Sequence, residues 1–147
     1  MRLRPLLLSA LLLPSLWLAV QTSADAARPY QVIVHREVKG TRIPRPILSS
    51  IFLKQAPNWG DGSPILPVDQ SLQSAVRRSF SDDILSQGVI QVQVYWQRRM
   101  AKGVTPPPVK GSDDEVVRYV ASTPGAIGYV TATTPLPESV KLIELTD

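Results

Sequence analysis

The sequence predicts an α/β domain in which helices pack on a sheet, and three stretches predict it. Gly111 to Val130, GSDDEVVRYVASTPGAIGYV, reads as a capped amphipathic helix, a tight turn and a buried strand. Tyr30 to His35 alternates and then runs apolar, as a half-buried strand does. Leu72, Val76, Phe80 and Ile84 recur every fourth residue, which is one stripe of a helix. A helix and a strand joined by so short a turn must pack on each other in a layered fold.

The chain has 147 residues, and its first part reads as an export signal. Arg2 and Arg4 form a basic start, and Leu6 to Val20 is an apolar run broken only by Ser9, Pro14 and Ser15. Ala24-Asp25-Ala26 then has the small-x-small form of a signal-peptidase site. Residues 1–27 are therefore expected to be a signal peptide, cleaved after Ala26 or Ala27, and the destination to be the periplasm. The run is short for a span of about 20 residues, and no charged stop-transfer flank follows it. Losing residues 1–27 from the 147 leaves 120, one ordinary domain over residues 28–147. The leader holds Arg2, Arg4 and Asp25, so the formal net charge moves from +4 to +3. That mild excess suits a small anion or a surface contact; no basic cluster is dense enough to grip nucleic acid. The absence of cysteine excludes lipid attachment at a lipobox, disulfides, thiolate metal sites and cysteine nucleophiles.

Taken in order, Tyr30 to His35 is the first strand. His35 is the only histidine, so no histidine cluster can hold a metal, and at a strand end it is expected at the surface. Lys39 to Pro46 reads as a loop. Pro46 suits a first helical turn, and Ile47, Leu48, Ile51 and Phe52 give one face of a helix over 46–54. Asn58 to Gly62 is a turn cluster with Trp59 as a lid over the core edge, and Ile65 to Val68 a second strand. Ser71 is the expected N-cap of the next helix, whose Arg77 and Arg78 lie beside the apolar stripe, solvated or snorkelling. In residues 88–101, Ile90, Val92 and Val94 alternate with glutamines, which by pattern alone argues for a strand. Pro106-Pro107-Pro108 makes Lys102 to Gly111 an extended connector. Ser112 and Glu115 form a capping box, and Asp113, Asp114 and Glu115 place negative charge on the first turn, where the helix dipole favours it. Pro124-Gly125 ends that helix, Ala126 to Val130 is a buried strand, Thr131 to Pro137 a loop, and Val140 to Leu145 a final strand.

Little in the chain is equipped for catalysis. There is no G-x-S-x-G and no H-E-x-x-H, and one histidine gives no serine–histidine–aspartate order to argue from. Asp82-Asp83 and Asp113-Asp114-Glu115 are the carboxylate clusters; consecutive helical residues do not face each other, so both read as cap and surface charges. No enzymatic role, cofactor or metal is expected. The stretch from Asp69 to Ala75 is different, because it leaves a strand and opens a helix. The free N–H groups there favour an oxyanion, and Ser71, Gln73, Ser74 and Ala75 are its candidate ligands, the alternative being simple capping by Ser71.

Four segments resemble, in order, the phosphate-type (PstS-like) substrate-binding proteins of ABC transporters. They are Val32 to His35 with Ile51-Phe-Leu-Lys-x-x-x-x-Trp59, then Gly62-x-Pro64-Ile, then Ser74-x-x-Arg77-x-x-Phe80, and Ser112 to Val130. The resemblance implies a single lobe, the second half, of a two-lobed class II periplasmic-binding-protein fold: an α/β domain with a mixed sheet and helices on its faces. It also implies helix, not strand, over residues 88–100. In that family an arginine and a serine-glycine-threonine loop hold the anion. Here Ser74 keeps the serine, Ala75 and Val76 replace glycine and threonine, and Asp69 or Gln70 stands in place of the arginine. The function implied is binding of phosphate or a similar oxyanion for a transporter or sensor. The alternative is an accessory module without ligand that partners a membrane sensor or channel, or a second copy of itself.

Overall fold

The computed structural model describes residues 28–147; the expected signal peptide lies outside the described residues. In chain order the elements are β1 (Tyr30–His35), β2 (Arg42–Pro44), α1 (Arg45–Phe52), β3 (Leu66–Pro67), β4 (Asp69–Gln70) and α2 (Ala75–Phe80). A π-helical turn (Ser81–Leu85) continues α2, and α3 (Val89–Met100), β5 (Val109–Lys110), α4 (Asp113–Ser122), β6 (Ala126–Thr131), β7 (Val140–Leu142) and β8 (Glu144–Thr146) follow. The main sheet has the order β3-β6-β1-β7. Antiparallel pairing of β1 with β6 and β7, and parallel pairing of β3 with β6, make it the mixed sheet the sequence predicts. Two parallel strand pairs, β2-β8 and β4-β5, stand beside it. No helix among the described residues is long and apolar enough to cross a membrane.

The two faces of the sheet follow from the period of two in a strand. Tyr30, Val32 and Val34 of β1 and Ile127 and Tyr129 of β6 turn to one face, where α1, α2 and α3 supply Leu48, Phe52, Phe80, Val92 and Trp96. At its centre the Phe80 ring stacks on Tyr129 with centroids 3.9 Å apart, and Phe52 meets Phe80 edge-on at 4.7 Å. Ile33, Ala126 and Val130 turn to the other face, against Val116 and Val120 of α4. Gly128 lets that helix approach, because a Cβ there would lie 2.8 Å from both Val116 Cγ1 and Val68 Cγ1. Gly125, at φ +83°, makes the left-handed turn into β6 and leaves no room for a Cβ beside the Pro64 carbonyl oxygen.

Several expectations are met. The Ser112 hydroxyl accepts the Glu115 N–H at 3.3 Å, α4 ends at Ser122, and β6 is buried almost throughout. Trp59 packs half-buried against the core and donates its indole N–H to Gly125. Other readings are corrected. The Glu115 carboxylate reaches the Gly111 N–H at 2.7 Å, one residue before the cap it was expected to close on. The loop over Lys39 to Pro46 contains β2, held by its pairing with β8. The final strand is two strands, broken at buried Ile143: β7 joins β1 and β8 joins β2. His35 is buried at the strand end, where its Nδ1 accepts the Glu37 N–H. Residues 89–100 are helix, as the resemblance implied and the alternation denied: Val92 and Trp96, four apart, are the side chains α3 buries, while Ile90 and Val94 face solvent.

Candidate functional site

The expected oxyanion ligands lie on the turn between β4 and α2. Parallel pairing sets Asp69 opposite Val109 and Gln70 opposite Lys110, with the Asp69 N–H donating to Pro108 and the Ser71 N–H to Lys110, each at 2.9 Å. The proline connector is thereby docked along this turn. It keeps the chain extended through Ser71, so the helix cannot begin there. The Ser74 N–H closes back on the Ser71 carbonyl at 3.0 Å, and the cap is Ser74, whose hydroxyl accepts the Arg77 N–H at 3.3 Å. Ser71 is not the N-cap, and Leu72 lies outside the helix, 38% exposed.

The four candidates are neighbours with separate occupations. Ser71 donates its hydroxyl to the Gln73 side-chain oxygen, and Ser74 donates to Gln70 Oε1 at 2.9 Å. Ala75 opens α2, and its amide belongs to the first turn, which has no intrahelical acceptor. What the turn offers an anion is its first-turn amides, since both serine hydroxyl protons are already given to Gln73 and Gln70. The exposed Arg78 stands beside it, donating to the Gln73 carbonyl at 3.1 Å.

Behind the turn lies a network that periodicity did not reveal. The Asp69 carboxylate accepts from Arg77 Nη1, from the Tyr129 hydroxyl and from the Gln70 N–H at 2.8 Å. Arg77 is 4% exposed and ion-paired, not solvated or snorkelling. Gln70 Nε2 donates to Asp113 Oδ1 at 2.8 Å and to the Tyr129 carbonyl at 2.9 Å. Asp113 Oδ2 in turn accepts from the Thr131 N–H and the Thr134 hydroxyl. Asp113 is thus a tie between α4 and the sheet and not merely a dipole charge. Burial pushes its pKa up, but the hydrogen bonds from Thr131, Gln70 and Thr134 outweigh that and hold it below the ordinary carboxylate value. Burial and then the nearby Asp69 carboxylate push the Tyr129 phenol well above its ordinary value, so it stays a neutral donor. Asp69 and Arg77 are eight residues apart, one on a strand and one on a helix, a spacing with no signature in either period.

A second hub corrects the reading of Asp82-Asp83. Both are exposed, but Asp83, in the π-helical turn, accepts from the Tyr30 hydroxyl and from Arg45 at 2.5 Å, with Arg28 at 3.8 Å. It pins the turn to β1 and α1. Among the described residues no group of three histidine, cysteine or carboxylate side chains is placed to hold a metal ion.

The fold is shared with solved structures. An ABC-type phosphate transport receptor from Vibrio cholerae matches 80% of this chain and 46% of its own length, with a TM-score of 0.62 at 19% identity. PstS from Borrelia burgdorferi matches 81% and 47%, at a TM-score of 0.62 and 18% identity. A putative phosphate ABC transporter substrate-binding protein from Clostridium perfringens, solved with bound phosphate, matches 80% and 44% at 14% identity. The fold is that of part of a phosphate-type substrate-binding receptor. The chain spans under half the length of these receptors. No family model and no curated protein matches the sequence.

Proposed function

We propose that this chain is an exported, non-catalytic solute-binding-like protein of the periplasm that takes phosphate or a similar oxyanion weakly, for an ABC transporter or a sensor. The observation that supports it most is the receptor fold with Ser74 and Ala75 at the opening of α2. There the first-turn amides of α2 follow the Ser74 cap and have no intrahelical acceptor. Affinity is expected to be low, because the serine hydroxyls are engaged, Arg77 is committed to Asp69, and the cation at the turn, Arg78, is exposed to solvent. A dissociation constant around a millimolar corresponds to about 4 kcal/mol. Calorimetry with phosphate and with sulfate tests the reading: heat at millimolar ligand, reduced by Ser74→Ala, is expected, and no heat with either anion ends it.

One observation favours the alternative of an accessory module. Ile90 is 62% exposed and Val94 39% on the outer side of α3, an apolar pair that a membrane sensor, a channel or a second copy of this chain could cover. A photo-crosslinker placed at Ile90 in cells tests it, and the absence of any adduct removes it.

A further inference from the structure

We propose that the groove between α3, the proline connector and the β4–α2 turn is a binding site for a small monocarboxylate with an aromatic or branched apolar body. Its carboxylate would be received by the unused edge of Arg77. The groove shares Gln70 and Leu72 with the stretch that carries the oxyanion turn, but its polar end is Arg77 and none of Ser71, Gln73, Ser74 and Ala75 lines it, so it does not rest on that reading. The groove encloses about 260 Å³. Trp96 and Met100 of α3 form one wall and Pro106 and Pro107 the other. Of the eight large hydrophobic side chains exposed among the described residues, three (Leu72, Met100 and Val109) converge on this one groove. Apolar groups gathered in one concavity, instead of scattered singly, mark a binding surface. The volume lies just under the roughly 300 Å³ at which drug-sized pockets begin, which suits a single ring with a short acid arm.

The polar end decides the ligand class. Arg77 also lines the groove and is buried, yet Asp69 and the Tyr129 hydroxyl engage only Nη1. Nε has no hydrogen-bond partner among the described residues. A guanidinium carries five N–H donors, and the Nε–Nη2 edge presents two in parallel, the spacing that two carboxylate oxygens match. Asp69 needs nothing more from Arg77, since Tyr129 and the Gln70 N–H already serve its other oxygen. Gln93 and Gln97, one helical turn apart on α3, line the same groove and add neutral donors, while Asp69, which also lines it, has its carboxylate taken up by Arg77, Tyr129 and the Gln70 N–H. Phosphate fits this place poorly, because it would leave the apolar walls unused.

The test uses phenylacetate as probe on the full chain, purified in whatever length the cell leaves it. The indole N–H signals of Trp59 and Trp96 are followed by NMR and assigned through Trp59→Phe and Trp17→Phe, since the chain holds three tryptophans. Phenylacetate should shift the Trp96 signal saturably and leave Trp59, which donates to Gly125 outside the groove, unmoved. Phenylacetamide, which lacks the charge, should bind about tenfold more weakly. Arg77→Lys keeps a cation opposite Asp69 but loses the fork, and should weaken phenylacetate about tenfold. Should that variant fail to fold, Met100→Glu at the half-exposed rim places a negative charge by the groove and should weaken binding by a similar factor. No Trp96 shift at tens of millimolar, equal shifts of both indoles, or phenylacetamide binding as tightly as phenylacetate would each overturn the proposal. So would unchanged affinity in Met100→Glu, or phosphate displacing phenylacetate from the groove. Phosphate heat without a phenylacetate shift sinks this site alone; a phenylacetate shift without phosphate heat sinks only the oxyanion reading.

Discussion

Gly128 shows how little room the core leaves at single positions. Val116 and Val68 close on it from α4 and from the chain between β3 and β4, so even one methyl group must displace packed side chains. Gly128→Ala is expected to destabilise the fold by about 1–3 kcal/mol, the usual result of overpacking. The midpoint of urea unfolding measures it, and a change below about 0.5 kcal/mol, the range of an ordinary surface substitution, would show that α4 is not held this close. The same scale explains which residues could be read from the sequence. Trp59 and the Ser112 cap depend on neighbours a few residues away or on bulk hydrophobicity, and both stand where local rules put them. Arg77 and His35 do not. Their burial is decided by Asp69 and Tyr129 for the one and by the packed end of β1 for the other, and composition says nothing about such partners.

At the scale of elements, the opening of α2 is set from outside the helix. Its pairing with β5 holds β4 extended, and the turn after it must close before helical bonding starts, which moves the cap from Ser71 to Ser74. Ser74→Ala is expected to cost about 1 kcal/mol through the lost cap, and more through the lost bond to Gln70. Ser71→Ala should cost a few tenths at most, since its hydroxyl bonds only within the exposed turn. Equal losses in thermal unfolding of the two variants would contradict this placement. Helix α3 teaches a related lesson. Its valines and glutamines alternate as in a strand, but Val92 and Trp96 are buried in the core and Tyr95 packs against it, and those contacts outweigh the β-branched alternation on the solvent side. The split of the last strand at Ile143 was equally hidden. A one-residue break that redirects the chain from β1 to β2 leaves the alternation of Val140 to Leu145 intact.

For the whole molecule, the tie points between layers set how stability varies with pH. Burial acts to raise the Asp83 carboxyl, but hydrogen bonds from Arg45 and Tyr30 prevail and hold it, like that of Asp113, below the ordinary value of 3.8. Their contribution is present above that unfolded value and is lost as the pH falls through the lower folded one. The Tyr30 and Tyr129 phenols act at the opposite end, raised first by burial and then by Asp83 and Asp69, respectively. Above their unfolded value of 10.0 the unfolded chain releases protons that the folded chain retains, so stability falls as the pH rises further. Urea midpoints should therefore be flat from about pH 5 to about pH 9 and drop outside that window. A midpoint that declines across neutrality would show that other groups govern the fold.

The sequence by itself determined the α/β class, the strand and helix flanking Gly125, the apolar face of α4 and that of α1 apart from the exposed Ile47, and, through its likeness to phosphate-type receptors, the helix at 89–100 and the mixed sheet. All but the last two follow from periodicity, caps and turn chemistry, which act within about a dozen residues. Only the tertiary structure decided where α2 begins, that Asp69 and Arg77 face each other under Tyr129, and that Leu72, Met100 and Val109 share a groove. Those outcomes rest on pairs up to 60 residues apart, such as Asp69 with Tyr129, brought together by strand pairing that no local pattern encodes.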